Sequence, residues 1–434
     1  MKSHLTELAA AALLALLTPL AGAETFSTAT YMQAVFAASP DLEAAQNSLE
    51  SAKNSYANSM INGYLPSMSL SAATPLWAYN GTRWDGLRLN RNEVTSSAQI
   101  NWNIYNMGKD SLSLRGASIS RDIAELSYKS TKQSEAMTAL TNYYDLLTDQ
   151  KLLDVARRDL TDQEAQYTLS QNLYKDGLQS LTDLLQSETN WRASQMRLTS
   201  AEATYQQQLL AFNTQINREP FAPVELIDAT NESTSTLAGV ETDFARALRD
   251  RFEMQSAEAG VRNADITYRQ AVLAQAPVFS VDFNWTKSGL QMFGLPSSSA
   301  SPNPSYSIGA SLSVPLGFFW MAQRNEIKNA ALTRRAASLT LENRRRSIRS
   351  SVVSARIALE LNSSSLGLSK LKKTIAQQKL RLVEEQYRQG VADSIKLTQA
   401  QNDDLSAQQD YTTLLYQLEL KRAQYYESVG IPLW

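Results

Sequence analysis

One stretch of this chain is written twice. YKDGLQSLTDLLQSETN, at residues 174–190, returns as YRQGVADSIKLTQAQND at residues 387–403, 213 positions later and without a gap. The match runs on in register, with Leu198 opposite Tyr411, Phe212 opposite Tyr425 and Ile216 opposite Val429. A second match lies upstream, SPDLEAAQNSLESAKNSY (39–56) against RFEMQSAEAGVRNADITY (251–268), at nearly the same offset. Self-similarity on this scale makes the chain two copies of one unit. The expected organisation is a first repeat over 24–217, a linker over 218–240 and a second repeat over 241–434.

Each copy holds two segments of strict alternation. SMSLSA (67–72) and SAQINWNI (97–104) alternate polar and apolar in the first. In the second, FSVDFNW places Phe279, Val281, Phe283 and Trp285 on one face, and SIGASLSV does the same for Ile308, Ala310, Leu312 and Val314. A period of two is the mark of a strand with two unlike faces. Leu70 and Ile100 fall on the matching face of the first copy. The opposite faces are polar but almost without charge, and aromatics stand at or near the strand ends: Tyr64, Trp77, Tyr105, Trp285, Phe318, Phe319 and Trp320. Turn formers around Asn80-Gly81 and over 296–304 join each pair. Alternation alone also fits two hairpins of a soluble sandwich. Uncharged polar faces and terminal aromatics favour outer-membrane strands, whose apolar face meets lipid. Four strands cannot close a single-chain barrel, and open edges in lipid are prohibitive, so several chains must share one wall. Three chains would supply twelve strands.

The rest of the sequence is helical at unusual length. Leu112, Ile119, Ile123, Leu126, Met137, Leu140, Tyr144 and Leu147 follow steps of three and four, as do Ile348, Val352, Ala355, Leu359 and Leu366. That is a coiled-coil seam. The spacing predicts helices from Lys109 to about Lys175 and from about Gln323 to Arg388, each near 100 Å at 1.5 Å per residue. Shorter helices are expected over 28–60 and 181–217, and over 241–272 and 394–429. Each such pair sums to about one long helix. The duplicated motif then sits at the chain reversals, where Gly177 and Gly390 suit a left-handed helix end and Ser180, Thr182, Asp393 or Ser394 can cap the next helix.

Composition removes most chemistry. The only histidine is His4, and there is no cysteine. Lys2 before an apolar run at 8–17, then Pro19 and the small residues Ala21, Gly22 and Ala23, read as a signal segment over 1–23 cut before Glu24. A mature chain without imidazole or thiol has neither Ser-His-Asp nor Cys-His nucleophiles, so no enzyme, metal site or cofactor is expected. Net charge of −2 argues against nucleic acid. After the signal no apolar run reaches the length of a transmembrane helix. Glu384-Glu385 and Asp403-Asp404 are adjacent and turned away from each other on a helix, and Arg344, Arg345, Arg346 and Arg349 read as a wetted face.

Taken together, the duplicated order of helix, strand, loop, strand, long helix, Y-x-x-G turn and returning helix resembles the TolC-like outer membrane efflux protein family. Tyr174/Gly177, Tyr387/Gly390, Leu65-Pro66, Ala276-Pro277 and PLGFFWMAQRNEI (315–327) carry the resemblance, which covers essentially the whole mature chain. It implies an α+β membrane protein, a homotrimer whose β-hairpins share one β-barrel in outer-membrane lipid above an α-helical barrel crossing the periplasm. It also implies a passive exit duct that docks onto a periplasmic adaptor protein and an inner-membrane pump. The implied adaptor contact is the pair of tips, Asp176, Gly177 and Leu178 with Gln389, Gly390 and Val391. The implied gate lies just beyond Gly390, where acids are expected; here Lys396 and Gln399 stand instead, Asp393 lies one turn nearer the tip, and Asp183 is the first-copy equivalent of Lys396. Pairing of Lys396 with Asp393 or Asp183 would give a nearly neutral ring; alternatively Lys396 points into the lumen and makes the entrance less cation-selective than an acidic ring would. Tyr387 would brace the closed state through its hydroxyl. A periplasmic coiled-coil scaffold or adaptor shares the signal and the heptads but lacks the strands. Cargo stays open among small molecules, metal ions and type I secreted polypeptides.

Overall fold

The structure, a computed structural model, describes residues 24–73, 94–228, 230, 239–290, 303–314 and 320–434. The expected signal segment, Trp77, the Asn80-Gly81 turn, the loop at 296–302, Phe318, Phe319 and the Trp320 side chain lie outside the described residues.

In chain order the elements are β1 (Glu24–Phe26), α1 (Thr28–Ala38), α2 (Pro40–Tyr64), β2 (Ser67–Ala73), β3 (Val94–Tyr105), α3 (Lys109–Lys175) and α4 (Leu181–Gln215). They continue as β4 (Val224–Leu226), α5 (Val240–Asp250), α6 (Phe252–Leu273), β5 (Val278–Leu290), β6 (Ser305–Ser313), α7 (Trp320–Arg388) and α8 (Ser394–Val429). The long helices α3 and α7 run 67 and 69 residues, as the seam predicts. Between residues 348 and 369 of α7 the buried positions are Ile348, Val352, Leu359, Asn362, Leu366 and Ser369, spaced by three, four or seven residues, and Asn362 and Ser369 among them are polar. Hydrophobic pattern alone hides those two members of the seam. No helix among the described residues is long and apolar enough to cross a membrane.

Two expected helices are broken. Instead of one helix over 28–60, α1 stops at Ser39, which is extended at φ −72°, ψ 116°, and α2 starts on Pro40. Proline at the first helical position is preorganised for a start, and it excludes the preceding residue from the helical region. The second copy breaks at the equivalent Arg251, φ −70°, ψ 129°, without any proline. There a tertiary contact accompanies the break. Gly430, left-handed at φ 86°, ends α8 directly against this break, and a Cβ on it would lie 3.0 Å from Arg251 N and 3.1 Å from Asp250 C.

Packing divides the chain into two compact units, each drawing on both copies. One takes the chain up to Ala44, Tyr128–Phe252 and Arg345–Trp434; the other takes Ala45–Ser127 and Glu253–Arg344. In the first unit the core gathers Phe26, Tyr31, Val35, Tyr143, Leu146 and Phe212, with the Tyr31 and Phe212 rings stacked at 3.9 Å. Burying rings of this size contributes about 1.5–3 kcal/mol each. The linker is less featureless than its sequence suggests. Its β4 pairs in parallel with β1, and the buried Tyr143 hydroxyl donates to Phe26 O at 3.0 Å and Ile227 O at 2.7 Å, fastening both segments to α3. Three-residue strands carry too little alternation to be legible beforehand.

In the second unit β2, β3, β5 and β6 form one antiparallel sheet in that order. Lys109 Nζ donates to Ala274 O and Ala276 O, both at 3.1 Å, joining the start of α3 to the end of α6 below the strands.

Candidate functional site

The sheet register brings the alternating faces of the two copies into line. Met68, Ile100, Phe283 and Ile308 are successive cross-strand partners, and so are Trp102, Val281 and Ala310. Phe279 pairs with Leu312, and Leu70 with Ala98 and then Trp285. All seven residues read as lipid-facing therefore share one face. Leu70 at 76% and Ile308 at 80% relative exposure are among the most exposed apolar side chains of the described residues, in a sheet whose edge strands β2 and β6 each have one side unpaired among the described residues. Tyr105 pairs with Phe279 near the helical end, and Trp285 with Tyr306 six residues further along, about 20 Å at 3.4 Å per residue.

The other face is a wall of hydroxyls and amides. Ser71 and Ser97 hydroxyls meet at 2.7 Å, and those of Ser280 and Ser311 at 2.8 Å. Asp282 is the one charged residue on this face among the described residues, lying between Asn101 and Gly309. A Cβ on Gly309 would come within 2.7 Å of the Asp282 carboxylate, so the glycine makes room for the charge.

The two reversals are built alike. Gly177 and Gly390 stand at φ 72° and 74°. In each, the glycine N–H closes on the tyrosine three residues before it, at 3.0 Å, and the next residue closes on the fifth before it at 2.8 Å: Leu178 to Leu173 O, and Val391 to Gln386 O. This double closure is the Schellman end that a left-handed glycine permits. The helices that follow are capped by Ser180, which accepts from Asp183 N, and by Asp393, which accepts from Lys396 N at 2.8 Å. Asp176, Leu178, Gln389 and Val391 are exposed at the turn tips.

Behind the tips the sequence-predicted gate residues come together, though not in the expected pairs. The Asp183 carboxylate accepts from Ser394 Oγ and from Ser180 Oγ, and these hydroxyls hold it below the usual carboxylate range. With Asp393 engaged by backbone, neither acid pairs with Lys396, whose exposed ammonium has no ion-pair partner among the described residues. The expected pairing is thus replaced within one chain by a helix cap at Asp393, whose carboxylate meets the free N–H of Lys396, and by serine hydroxyls at Asp183. Tyr387 is held through its hydroxyl, which accepts from Gln179 Nε2 at 3.0 Å, while Gln179 Oε1 accepts from Ser170 Oγ at 3.0 Å. This links the second turn to the first, and burial pushes the Tyr387 hydroxyl up. A lone glutamine such as Gln179 carries no motif that sequence alone would reveal. Gln399 donates to Asp403 Oδ1 at 3.1 Å, and Asp403 also accepts from Lys379 Nζ at 2.7 Å. No cluster that could hold a metal ion occurs among the described residues.

Comparison with known proteins agrees with this arrangement. Protein CyaE of Bordetella pertussis is 23% identical over 363 residues, spanning 82% of this chain and 74% of its own length. Among solved structures, the outer membrane protein VceC from Vibrio cholerae superposes with a TM-score of 0.78 at 15% identity, over 94% of this chain and 97% of that one. CusC, described in terms of folding and transmembrane channel formation, gives 0.78 at 12% identity over 93% and 92%. The open state of the MtrE outer membrane channel of Neisseria gonorrhoeae gives 0.74 at 18% identity over 94% and 89%. At these identities the likeness establishes the fold. The outer membrane efflux protein profile matches residues 32–217 and 244–430, one match on each copy, and the chain belongs to the outer membrane efflux protein family.

Proposed function

We propose that three copies of this chain form one exit duct, each lending four strands to a twelve-stranded barrel in the outer membrane and its long helices to a conduit through the periplasm. The chain is an outer membrane efflux channel, and its family is one of transport proteins rather than of enzymes. One observation carries the trimeric reading: a sheet with an aligned apolar face, a hydroxyl-lined opposite face, and two edges with a side unpaired among the described residues. Such edges are tolerable in lipid only if another sheet completes them. Joining β2 of one copy to β6 of the next closes the wall.

The tips at 176–178 and 389–391 are then the surface offered to a periplasmic adaptor, through which an inner-membrane pump delivers small molecules. Exposed Leu178 and Val391, with Ile395 behind them, support this role.

The chain has no cysteine, so Ser69→Cys on β2 and Ser307→Cys on β6 can be joined by a flexible bis-maleimide in isolated outer membranes. The double variant is expected to run as a covalent trimer on a denaturing gel, and each single variant as a monomer. A double variant that stays monomeric, or that collects in the soluble periplasmic fraction, would leave the scaffold reading in its place.

A further inference from the structure

A groove of about 870 Å3 lies in the second unit, lined by α3, α6 and α7. Leu112 and Ile119 of α3 and Ile266 of α6 give it an apolar strip. Beside the strip stand five guanidinium groups: Arg115 on α3, Arg262 and Arg269 on α6, and Arg334 and Arg335 on α7. They face one carboxylate, Asp265.

That carboxylate is already engaged. Asp265 accepts from Arg269 Nε at 2.8 Å and from Arg334 Nη1 at 3.2 Å, and Arg334 also lies over the Tyr268 ring at 4.5 Å. Arg115, Arg262 and Arg335 have no ion-pair partner among the described residues. Like charges held around one concavity repel unless an anion joins them, and planar guanidinium forks match the oxygens of phosphate or carboxylate.

The duplication shows that this surplus is not a requirement of the fold. In the first copy the stacked pair is kept, with Arg121 over Tyr56 at 4.9 Å. Around it, however, Glu50 stands where the second copy has Arg262, Lys53 where it has Asp265, Ala57 where it has Arg269 and Asp122 where it has Arg335. There the charges close on themselves, Lys53 with Glu50 and Arg121 with Asp122, both at 2.7 Å. One copy is balanced and the other is left cationic.

We propose that the groove binds an amphiphilic phosphate ester, its head held by Arg115, Arg262 and Arg335 and its hydrocarbon lying on Leu112, Ile119 and Ile266. The apolar strip separates this ligand from a bare inorganic anion, which would use the arginines alone. Two sources share the chemistry, a phospholipid of the surrounding leaflet and a soluble surfactant in transit. The inference does not depend on the adaptor-docking reading.

Purified channel in an uncharged detergent is titrated calorimetrically with dodecyl phosphate, with phosphatidylglycerol micelles and with inorganic phosphate, for wild type and for the combined variant Arg115→Gln, Arg262→Gln, Arg335→Gln. These side chains are exposed, so the variant is expected to keep the wild-type melting temperature. At least one amphiphile is expected to bind wild type and to bind the variant about tenfold more weakly or worse, with inorganic phosphate far weaker than either. Binding of dodecyl phosphate alone assigns a soluble surfactant, and of phosphatidylglycerol alone a membrane lipid. Equal binding by wild type and variant, or inorganic phosphate binding as tightly as the amphiphiles, would overturn the proposal. So would a variant that falls apart into folded single chains, because the groove would then seat a second copy.

Discussion

The Tyr425 hydroxyl donates to the buried carboxylate of Asp243 at 2.6 Å, and the equivalent pair in the first copy, Phe212 and Tyr31, meets instead as two rings stacked at 3.9 Å. The third member differs in the same sense. Arg356 Nη1 reaches Asp243 at 3.3 Å where the first copy has Tyr143. One position in the repeat is therefore held by an aromatic cluster in one copy and by a buried ion pair in the other. Removing half of a buried pair costs about 3–5 kcal/mol, whereas replacing the whole set by packed apolar groups is often neutral. Asp243→Ala should lower the melting temperature of the purified protein by several degrees. The combined change Asp243→Tyr, Arg356→Tyr, Tyr425→Phe, which copies the first cluster, should recover most of that loss. A triple variant no more stable than Asp243→Ala would show that the two sites are not interchangeable.

The tips depend on two left-handed glycines. Valine at φ near 70° costs about 1–2 kcal/mol per site or more, which is enough to unwind a turn but not a helix of 67 residues. The double variant Gly177→Val, Gly390→Val should lose efflux in cells while its trimer and its membrane insertion are retained. Efflux at the wild-type level would move the docking surface away from the turns.

The apolar face should meet lipid. Lysine near the bilayer midplane costs about 2–4 kcal/mol per site, so lysine at Phe279, Val281 and Phe283 together should abolish channel insertion into planar bilayers. The same three substitutions on the hydroxyl face, at Ser280, Asp282 and Asn284, should insert normally. Equal insertion of both sets would deny the first face its contact with lipid.

At the gate, Lys396 has no ion-pair partner in the single chain among the described residues, and Tyr387 is tethered to Gln179. The wild type should show modest ion selectivity and weak block by divalent cations. Lys396→Asp should raise both, and Tyr387→Phe should raise conductance by freeing the second turn from the first. Reversal potentials and divalent-ion block in planar bilayers read all three; strong cation selectivity in the wild type would shift the constriction to other acids, such as Asp183 or Asp403.

Burial, and secondarily the neighbouring Asp145, push the Asp149 carboxyl on α3 up to about 6. In the unfolded chain the group titrates near ~3.9, so between these values the folded protein holds a proton that the unfolded chain has lost. Its contribution to stability is present below about pH 4 and is lost as pH rises through about 6. The melting temperature should therefore fall between about pH 4 and pH 6, and Asp149→Asn should flatten that slope. An unchanged slope would assign it to other carboxylates.

Periodicity and duplication were enough to read the two long helices, the four strands and their apolar face, and the two glycine reversals, because each rests on local sequence: a repeat of 3.5 or 2 residues, or a backbone angle that only glycine adopts freely. The strand positions of Phe279 and Leu312 follow from alternation, while their pairing required the register. What the tertiary structure decided lies where distant segments meet. The break at Arg251 has no proline to announce it and lies where Gly430 packs against the chain. The short β1–β4 pair, the Gln179 tether and the polar seam positions Asn362 and Ser369 carry no periodic or motif signal of their own. Asp183 and Lys396 occupy equivalent positions of the repeat, yet serine hydroxyls reach the Asp183 carboxylate and a helix N–H reaches that of Asp393. Charge balance around Tyr56 and its absence around Tyr268 could be read only once three helices had brought five arginines to one groove. Sequence specifies what each segment can become, and packing selects which of its side chains find partners, since partners 100 or 200 residues apart leave no trace in a local pattern.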